Sequence, residues 1–184
     1  MIKKYGIIGC GMMGQEHLRN INLINDAIAY AIYEPNINMQ KMAKKLAPEA
    51  RFYDSLDKIL SDENIDCWLI VSPNHFHMDQ LEQLAGIPHR PILVEKPLFT
   101  EIKHLERIKN FSIKYSAPVW VAMEYRYMPP IAELIKRQNN VTGGIKMLSI
   151  REHRFPFLPK VDDWNRFNKN SGGTFVEKCC HFFD

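Results

Sequence analysis

A short apolar run at residues 5–8 leads directly into Gly9-x-Gly11-x-x-Gly14, and a helical pattern follows. No other feature limits the fold of this chain as tightly. A strand that breaks on a glycine turn and resumes as a helix is the context in which a G-x-G-x-x-G spacing acquires meaning. Gly9 permits the tight turn off the strand, Gly11 presents no side chain to a bound pyrophosphate, and Gly14 lets the helix pack close to the sheet. Phosphates then sit on the free N–H groups at the positive end of that helix, around Met12 and Met13. Taken alone, the same glycines are also compatible with a plain turn.

The next strand-like run, residues 27–33, ends at Glu34, twenty positions after Gly14. A carboxylate there is placed to accept hydrogen bonds from adenosine ribose hydroxyls, and it repels a 2′-phosphate. The pattern therefore reads as NAD ahead of NADP. Glutamates also end strands without any ligand, so Glu34 supports the glycine loop rather than standing by itself.

At 184 residues the chain suits one domain, or one domain and part of a second. Its 24 basic and 21 acidic residues are mixed along the chain, with a net charge of +3 and no basic block. Neither nucleic acid nor a membrane surface is an expected partner. No apolar run approaches the ~20 residues needed to cross a bilayer. Lys3-Lys4 and the apolar stretch up to Cys10 loosely imitate a lipoprotein signal, but the stretch is too short and Gln15-Glu16-His17 follows. The expected location is the cytoplasm. Cys10, Cys67, Cys179 and Cys180 form no disulfide framework and no zinc spacing, so reduced thiols and no metal are expected.

Strands and helices alternate through the first two thirds of the chain. Met39, Met42, Ala43 and Leu46 lie at helical spacing before Pro48, and Phe52-Tyr53 is a short strand. Asp54 is placed to cap a helix carrying Leu56, Ile59 and Leu60. Residues 65–71 form a nearly continuous apolar run, the mark of a parallel strand buried on both faces. A helix over residues 78–85 stops at Gly86, and a strand over 92–95 is halted by Pro97. Thr100 is placed to cap a helix with Ile102, Leu105 and Ile108 inward, and residues 119–123 form another strand. The alternation predicts an α/β fold with a doubly wound parallel sheet, closing at residue 123.

From Glu124 the character changes. Pro129-Pro130 opens a helix that Gly143-Gly144 ends, and residues 145–153 read as a longer strand. Phe155-Pro-Phe-Leu-Pro159 and Trp164-Asn165-Arg166 form an aromatic, proline-containing loop, and Ser171-Gly172-Gly173 introduces a helix running to the last residue. A helix ending on Phe182-Phe183-Asp184 needs a partner surface that one strand cannot supply. Residues 124–184 are therefore expected to begin a second, incomplete α+β domain: a fragment, a truncated gene product, or a piece that pairs with another chain.

Several side chains are candidates for chemistry. Glu95-Lys96-Pro97 ends a predicted central strand, where ligands of open α/β sheets bind, and the Lys96 ammonium there can stabilise a substrate oxygen as its proton leaves. A solvated strand-end lysine is the competing reading. Ser72-Pro73-Asn74-His75-Phe76-His77 occupies the equivalent place one strand earlier, with His77 at the cofactor or substrate edge; two histidines alone are weak evidence for a metal. Glu177, His181 and Asp184 fall at i, i+4 and i+7, one face of a continuous helix. His181 is then a general base and Glu177 its orienting carboxylate, unless the three are an ordinary ion-pairing surface. Arg126, between two tyrosines, is either a ligand-holding or a structural arginine.

Together these residues resemble the Gfo/Idh/MocA family of NAD(P)-dependent oxidoreductases. The resemblance is carried by the glycine loop, Glu34-Pro35-Asn36, Ser72-Pro73-Asn74-x-x-His77, Glu95-Lys96-Pro97, Tyr125-Arg126-Tyr127, and Gly172-Gly173 with His181 and Asp184. It implies an N-terminal Rossmann domain, a C-terminal open-sheet domain, and oxidation or reduction of a hydroxyl or keto group on a sugar, inositol or related polyol. Lys96 and His181 match the family's catalytic lysine and histidine, and Arg126 and Trp164 are expected near the substrate with them. Glu177 stands where the family usually has Asp, and Cys179 where many members have glycine. The family's second domain normally continues well beyond Asp184, and a full-length relative is expected to be a homo-oligomer. Two rival expectations accompany this one: an NAD-retaining sugar glycosidase or lyase of the same family, and a dinucleotide-binding fragment without activity.

Overall fold

The alternation of apolar residues in the early strands dictates a sheet covered on both sides. Ile7, Ile32 and Leu69 point to one face, Ile8, Ala31, Trp68 and Ile70 to the other, and each set joins a separate buried cluster. The computed structural model describes residues 1–141, 143–153 and 159–184. Its sheet comprises β1 (Lys3–Ile8), β2 (Ala27–Tyr33), β3 (Arg51–Tyr53), β4 (Cys67–Ile70), β5 (Ile92–Glu95) and β6 (Val119–Ala122). All adjacent pairs are parallel, in the order β3-β2-β1-β4-β5-β6. The order reverses between β1 and β4, so the crevice at their carboxyl ends is the ligand-binding position of such a sheet.

Helix α1 (Met12–Ile21) and α2 (Ile37–Leu46) cover one face through Leu18, Ile21 and Ala43. On the other lie α3 (Leu56–Leu60), α4 (His77–Ala85) and α5 (Leu105–Lys114), through Ile59, Met78, Leu81, Leu84 and Phe111. Trp68 is fully buried at the centre of this second cluster.

Local caps differ from expectation at two places. Ser55, not Asp54, caps α3 by accepting the Lys58 N–H, while the Asp54 carboxylate reaches the Lys58 ammonium at 2.7 Å. Thr100 does not cap a helix; its hydroxyl is buried without a partner among the described residues, and a 3-10 turn at Ile102–His104 precedes α5. That tighter turn rotates the leading residues outward, leaving Ile102 82% exposed, and Phe111 takes the inward position instead.

After β6, α6 (Pro129–Val141) ends before Gly143-Gly144 as expected. Residues 145–153 pair with no strand among the described residues, and the Phe155 to Leu158 part of the aromatic loop lies outside them. A strand gains its hydrogen bonds only from a neighbour, and β6 presents its outer edge unpaired. A short α7 (Asn168–Ser171) precedes Gly172, and the expected terminal helix is broken into α8 (Gly173–Glu177) and α9 (Cys180–Phe183). Both the Lys178 and the Cys179 N–H donate to Thr174 O, which breaks the register between Glu177 and His181.

Candidate active site

One cavity of about 1010 Å³ runs along the carboxyl ends of the central strands, from Glu34 and Met39 to Lys96, Lys160 and Glu177. The glycine loop forms its floor. Gly9 has φ +88, and a Cβ there would lie 2.6 Å from the Ser72 backbone, so only glycine lets the β1 and β4 exits approach at the point of strand reversal. A Cβ on Gly14 would meet Gly9 O at 2.9 Å, which sets the close seat of α1. Around Gly11 there is open space for 4 Å, and this residue gives α1 no side-chain cap. The first N–H groups of α1 therefore remain open toward the cavity, with Met12 and Met13 beside them, an arrangement that fits a pyrophosphate.

Glu34 is buried and held on both oxygens. Oε2 accepts the Cys10 N–H at 2.5 Å and Oε1 accepts the Asn36 N–H at 2.8 Å, which fixes the carboxylate on the cavity wall with lone pairs to spare. Burial, with the Glu34 charge adding to it, pushes the Cys10 thiol up to about 12, so this cysteine stays protonated. Ser72, Pro73 and Asn74 line the opposite wall; the Ser72 hydroxyl donates to Gln80 Oε1 at 2.6 Å, and the buried Asn74 amide nitrogen has no partner among the described residues.

His77 departs from expectation. It is fully buried, its ring nitrogens face Pro97 O at 2.8 Å and Ser72 O at 3.0 Å, and it does not line the cavity. It ties the two strand-end loops together beneath the site. The next loop carries Glu95 and Lys96. Glu95 Oε1 meets His17 Nε2 at 2.8 Å, so α1 and the end of β5 are joined by a part-buried contact that the motif pattern did not single out. Lys96 lines the cavity and donates from Nζ to the Glu177 carbonyl at 2.9 Å.

The broken terminal helix scatters the expected trio. Glu177 lines the cavity and places Oε1 4.0 Å from Lys160 Nζ. His181 is buried beside the cavity, stacked on Tyr125 with centroids 4.2 Å apart; a Glu124 carboxylate oxygen lies 3.4 Å from Nε2, and Nδ1 has no partner among the described residues. Burial, then the charges of Lys96 and Lys178, lower His181 to about 4, so the ring is neutral at pH 7. Asp184 forms a two-point ion pair with Arg126. That pair borders a separate hollow of about 400 Å³ against β6, so Arg126 does not reach the cavity. Trp164 does line it, under the Lys160 ammonium at 4.6 Å. Lys160, also on the wall, was not among the candidates, since an isolated lysine after a proline-rich loop carries no spacing signal; His75, weighed only as half of a metal pair, lines the wall too. No group of three metal-binding side chains occurs among the described residues, and none of their helices is long and apolar enough to cross a membrane.

Comparison with known proteins identifies the family and the fold. A model described as "Oxidoreductase family, NAD-binding Rossmann fold" matches residues 3–123, and "Oxidoreductase family, C-terminal alpha/beta domain" matches residues 133–184. The myo-inositol 2-dehydrogenase of Thermotoga maritima is 26% identical over 182 residues, 98% of this chain and 53% of that protein. The inositol 2-dehydrogenase of Paracoccus denitrificans is 32% identical over 160 residues, 85% of this chain and 47% of that protein. An NAD-binding protein from Listeria innocua superposes with a TM-score of 0.82 over 99% of this chain and 53% of its own, at 21% identity. The Lactobacillus casei myo-inositol dehydrogenase, solved with NAD(H) and myo-inositol, gives 0.71 over 78% of this chain and 43% of its own, at 24% identity. These superpositions speak for the fold. The chain spans about half the length of the curated relatives it matches. Residues 3–123 are an NAD-binding Rossmann domain, and the chain belongs to the Gfo/Idh/MocA oxidoreductase family.

Proposed function

We propose that this chain carries the cofactor site and the reacting groups of an NAD-dependent oxidoreductase that interconverts a secondary hydroxyl and a keto group on a sugar, inositol or related polyol. The observation that carries the reading is Lys96 Nζ at the carboxyl end of β5, on the same cavity wall as the open N-terminus of α1. Nicotinamide, when bound, supplies the hydride acceptor or donor. The N–H groups of α1 hold the pyrophosphate. Glu34 accepts from the adenosine ribose and disfavours a 2′-phosphate, which supports NAD over NADP. Lys96 polarises the substrate oxygen. The neutral His181, with Nδ1 unpartnered, receives the hydroxyl proton. Because His181 lies off the cavity wall, stacked on Tyr125, the substrate complex requires a shift that brings the imidazole to the cavity. The unpaired thiols suit a reducing cytoplasm.

Lys96→Met tests the assignment. With NAD affinity preserved in titration calorimetry, polyol-dependent NADH formation should fall by at least a hundredfold, as expected for loss of charge stabilisation at the reacting oxygen. A fully active variant would remove Lys96 from the chemistry. Turnover of a sugar without net NADH would instead favour a cofactor-retaining lyase or glycosidase.

A further inference from the structure

A proton that reaches His181 must leave before the next turnover, yet the side chain is only 1% exposed. Most carboxylates nearby are already engaged. Glu177, the one expected to orient the ring, turns instead to Lys160 Nζ at 4.0 Å. Glu95 is bound by His17 at 2.8 Å, and Asp184 is held at two points by Arg126. Glu124 remains. Its Oε1 lies 3.4 Å from His181 Nε2, and it has no other ion-pair partner among the described residues.

Glu124 opens the 3-10 turn Glu124–Tyr127 that follows β6, so its neighbour Tyr125 stacks on the imidazole with the two planes 9° apart. The Tyr125 hydroxyl donates to Glu152 at 2.7 Å and accepts from the Lys178 ammonium, which anchors the surface on which His181 lies. The imidazole is thereby held with Nε2 toward Glu124 and with Nδ1 unpartnered among the described residues. The Glu124 side chain is 55% exposed, so it links a buried ring to water. At 3.4 Å the contact is looser than the roughly 2.7–2.9 Å of a charge-assisted N–H···O bond, and a positive ring would draw the carboxylate in. Lys96 and Glu95 face the ring from the end of β5, and Lys178 and Asp184 from its own segment. Desolvation, then the two lysine charges, lowers His181 to about 4, and desolvation raises Glu124 above its ordinary value, which suits proton exchange between them.

We propose that Glu124, rather than Glu177, is the positioning carboxylate of His181 and the exit for its proton. The inference rests on the oxidoreductase reading. As the carbinol hydride leaves for the nicotinamide, the hydroxyl proton bonds to Nδ1. The Nε2–H bond breaks, its proton passes to Glu124 Oε1, and Glu124 releases it to water. Solvent exchange after product release restores the Nε2–H tautomer, and ketone reduction runs the same transfers backwards.

Imidazole nitrogen NMR of the NAD-saturated chain at pH 7 reads the tautomer, and oxidation of myo-inositol and D-glucose reads the relay. His181 should carry its proton on Nε2 in the wild type, in Glu177→Gln, and in Glu124→Gln, whose amide oxygen still accepts. Glu124→Leu should lose that preference. Glu124→Gln cannot take the proton, so its kcat should fall about tenfold or more, part of what proton transfer by a positioned side chain contributes. Its KM and NAD affinity should stay within about twofold, as at independent sites. A wild-type proton on Nδ1, a tautomer unmoved by Glu124→Leu, or a full kcat in Glu124→Gln would overturn this proposal alone. A wild-type chain that binds NAD and oxidises neither polyol would remove the oxidoreductase reading and this one with it.

Discussion

Two parts of the cavity are built on opposite principles. At the glycine loop, backbone approaches backbone within contact distance and the Glu34 carboxylate is bonded on both oxygens before any ligand arrives. Elsewhere along the cavity, among the described residues, the Asn74 and His75 side chains on the wall and His181 beside it each leave a buried nitrogen unpartnered, and Lys160 stands off from its carboxylate. Buried polar groups normally find partners. The glycine-loop end is therefore preformed by main-chain geometry, whereas the rest of the cavity keeps hydrogen-bonding capacity in reserve for a polar molecule.

The largest test of that contrast is Gly9→Ala. A Cβ forced to φ +88 and 2.6 Å from the Ser72 backbone should cost about 3 kcal/mol, or roughly 6–12 °C in melting temperature, and abolish NAD binding. A variant that still binds NAD normally would show that the loop is adaptable and erase the contrast. Next comes His17→Ala, which strips the buried Glu95 carboxylate of its partner across α1 and β5. A loss of about 1–3 kcal/mol is expected in denaturant unfolding at pH 7, with His17→Gln recovering part of it.

A smaller and pH-dependent effect belongs to His181. Its folded pKa of about 4 lies below the unfolded value of about 6.5, so the unfolded chain binds the extra proton in between. Stability should be unaffected by this ring above pH ~6.5 and fall as pH drops toward ~4, by at most about 1.4 kcal/mol per pH unit. Imidazole NMR on the wild type and His181→Phe checks both the midpoint and the slope, and a midpoint near 6.5 would contradict the buried placement. Least is expected from Arg126→Ala, since the Arg126–Asp184 pair lies outside the cavity. Melting temperature and polyol affinity should barely move; a clear loss of polyol binding would return Arg126 to the site.

How much of this was legible follows from the range of the interactions involved. Strands β2 and β5 fall on the residues that the apolar pattern marks, and the glycine loop was readable because each glycine answers a local backbone demand. Lys96 could be found because the end of a central strand is a ligand position in any such sheet. The Glu177–His181–Asp184 trio was misread for the opposite reason. Its spacing presumes an unbroken helix, and the double use of Thr174 O as acceptor breaks it. His77 sits in the right motif but turns inward, because the Ser72 and Pro97 carbonyls at the ends of neighbouring strands face its ring nitrogens and one of them accepts its N–H.

By itself the sequence determined the strands, their covering helices, the glycine turn and the acid that ends β2, all consequences of local periodicity and of backbone sterics. Only the tertiary structure decided which polar side chains share the cavity: Lys160 with Glu177, His17 with Glu95, and Arg126 away from all of them. Those pairings join residues 17, 78 or 58 positions apart, and side chains so separated meet only through the packing of the elements between them.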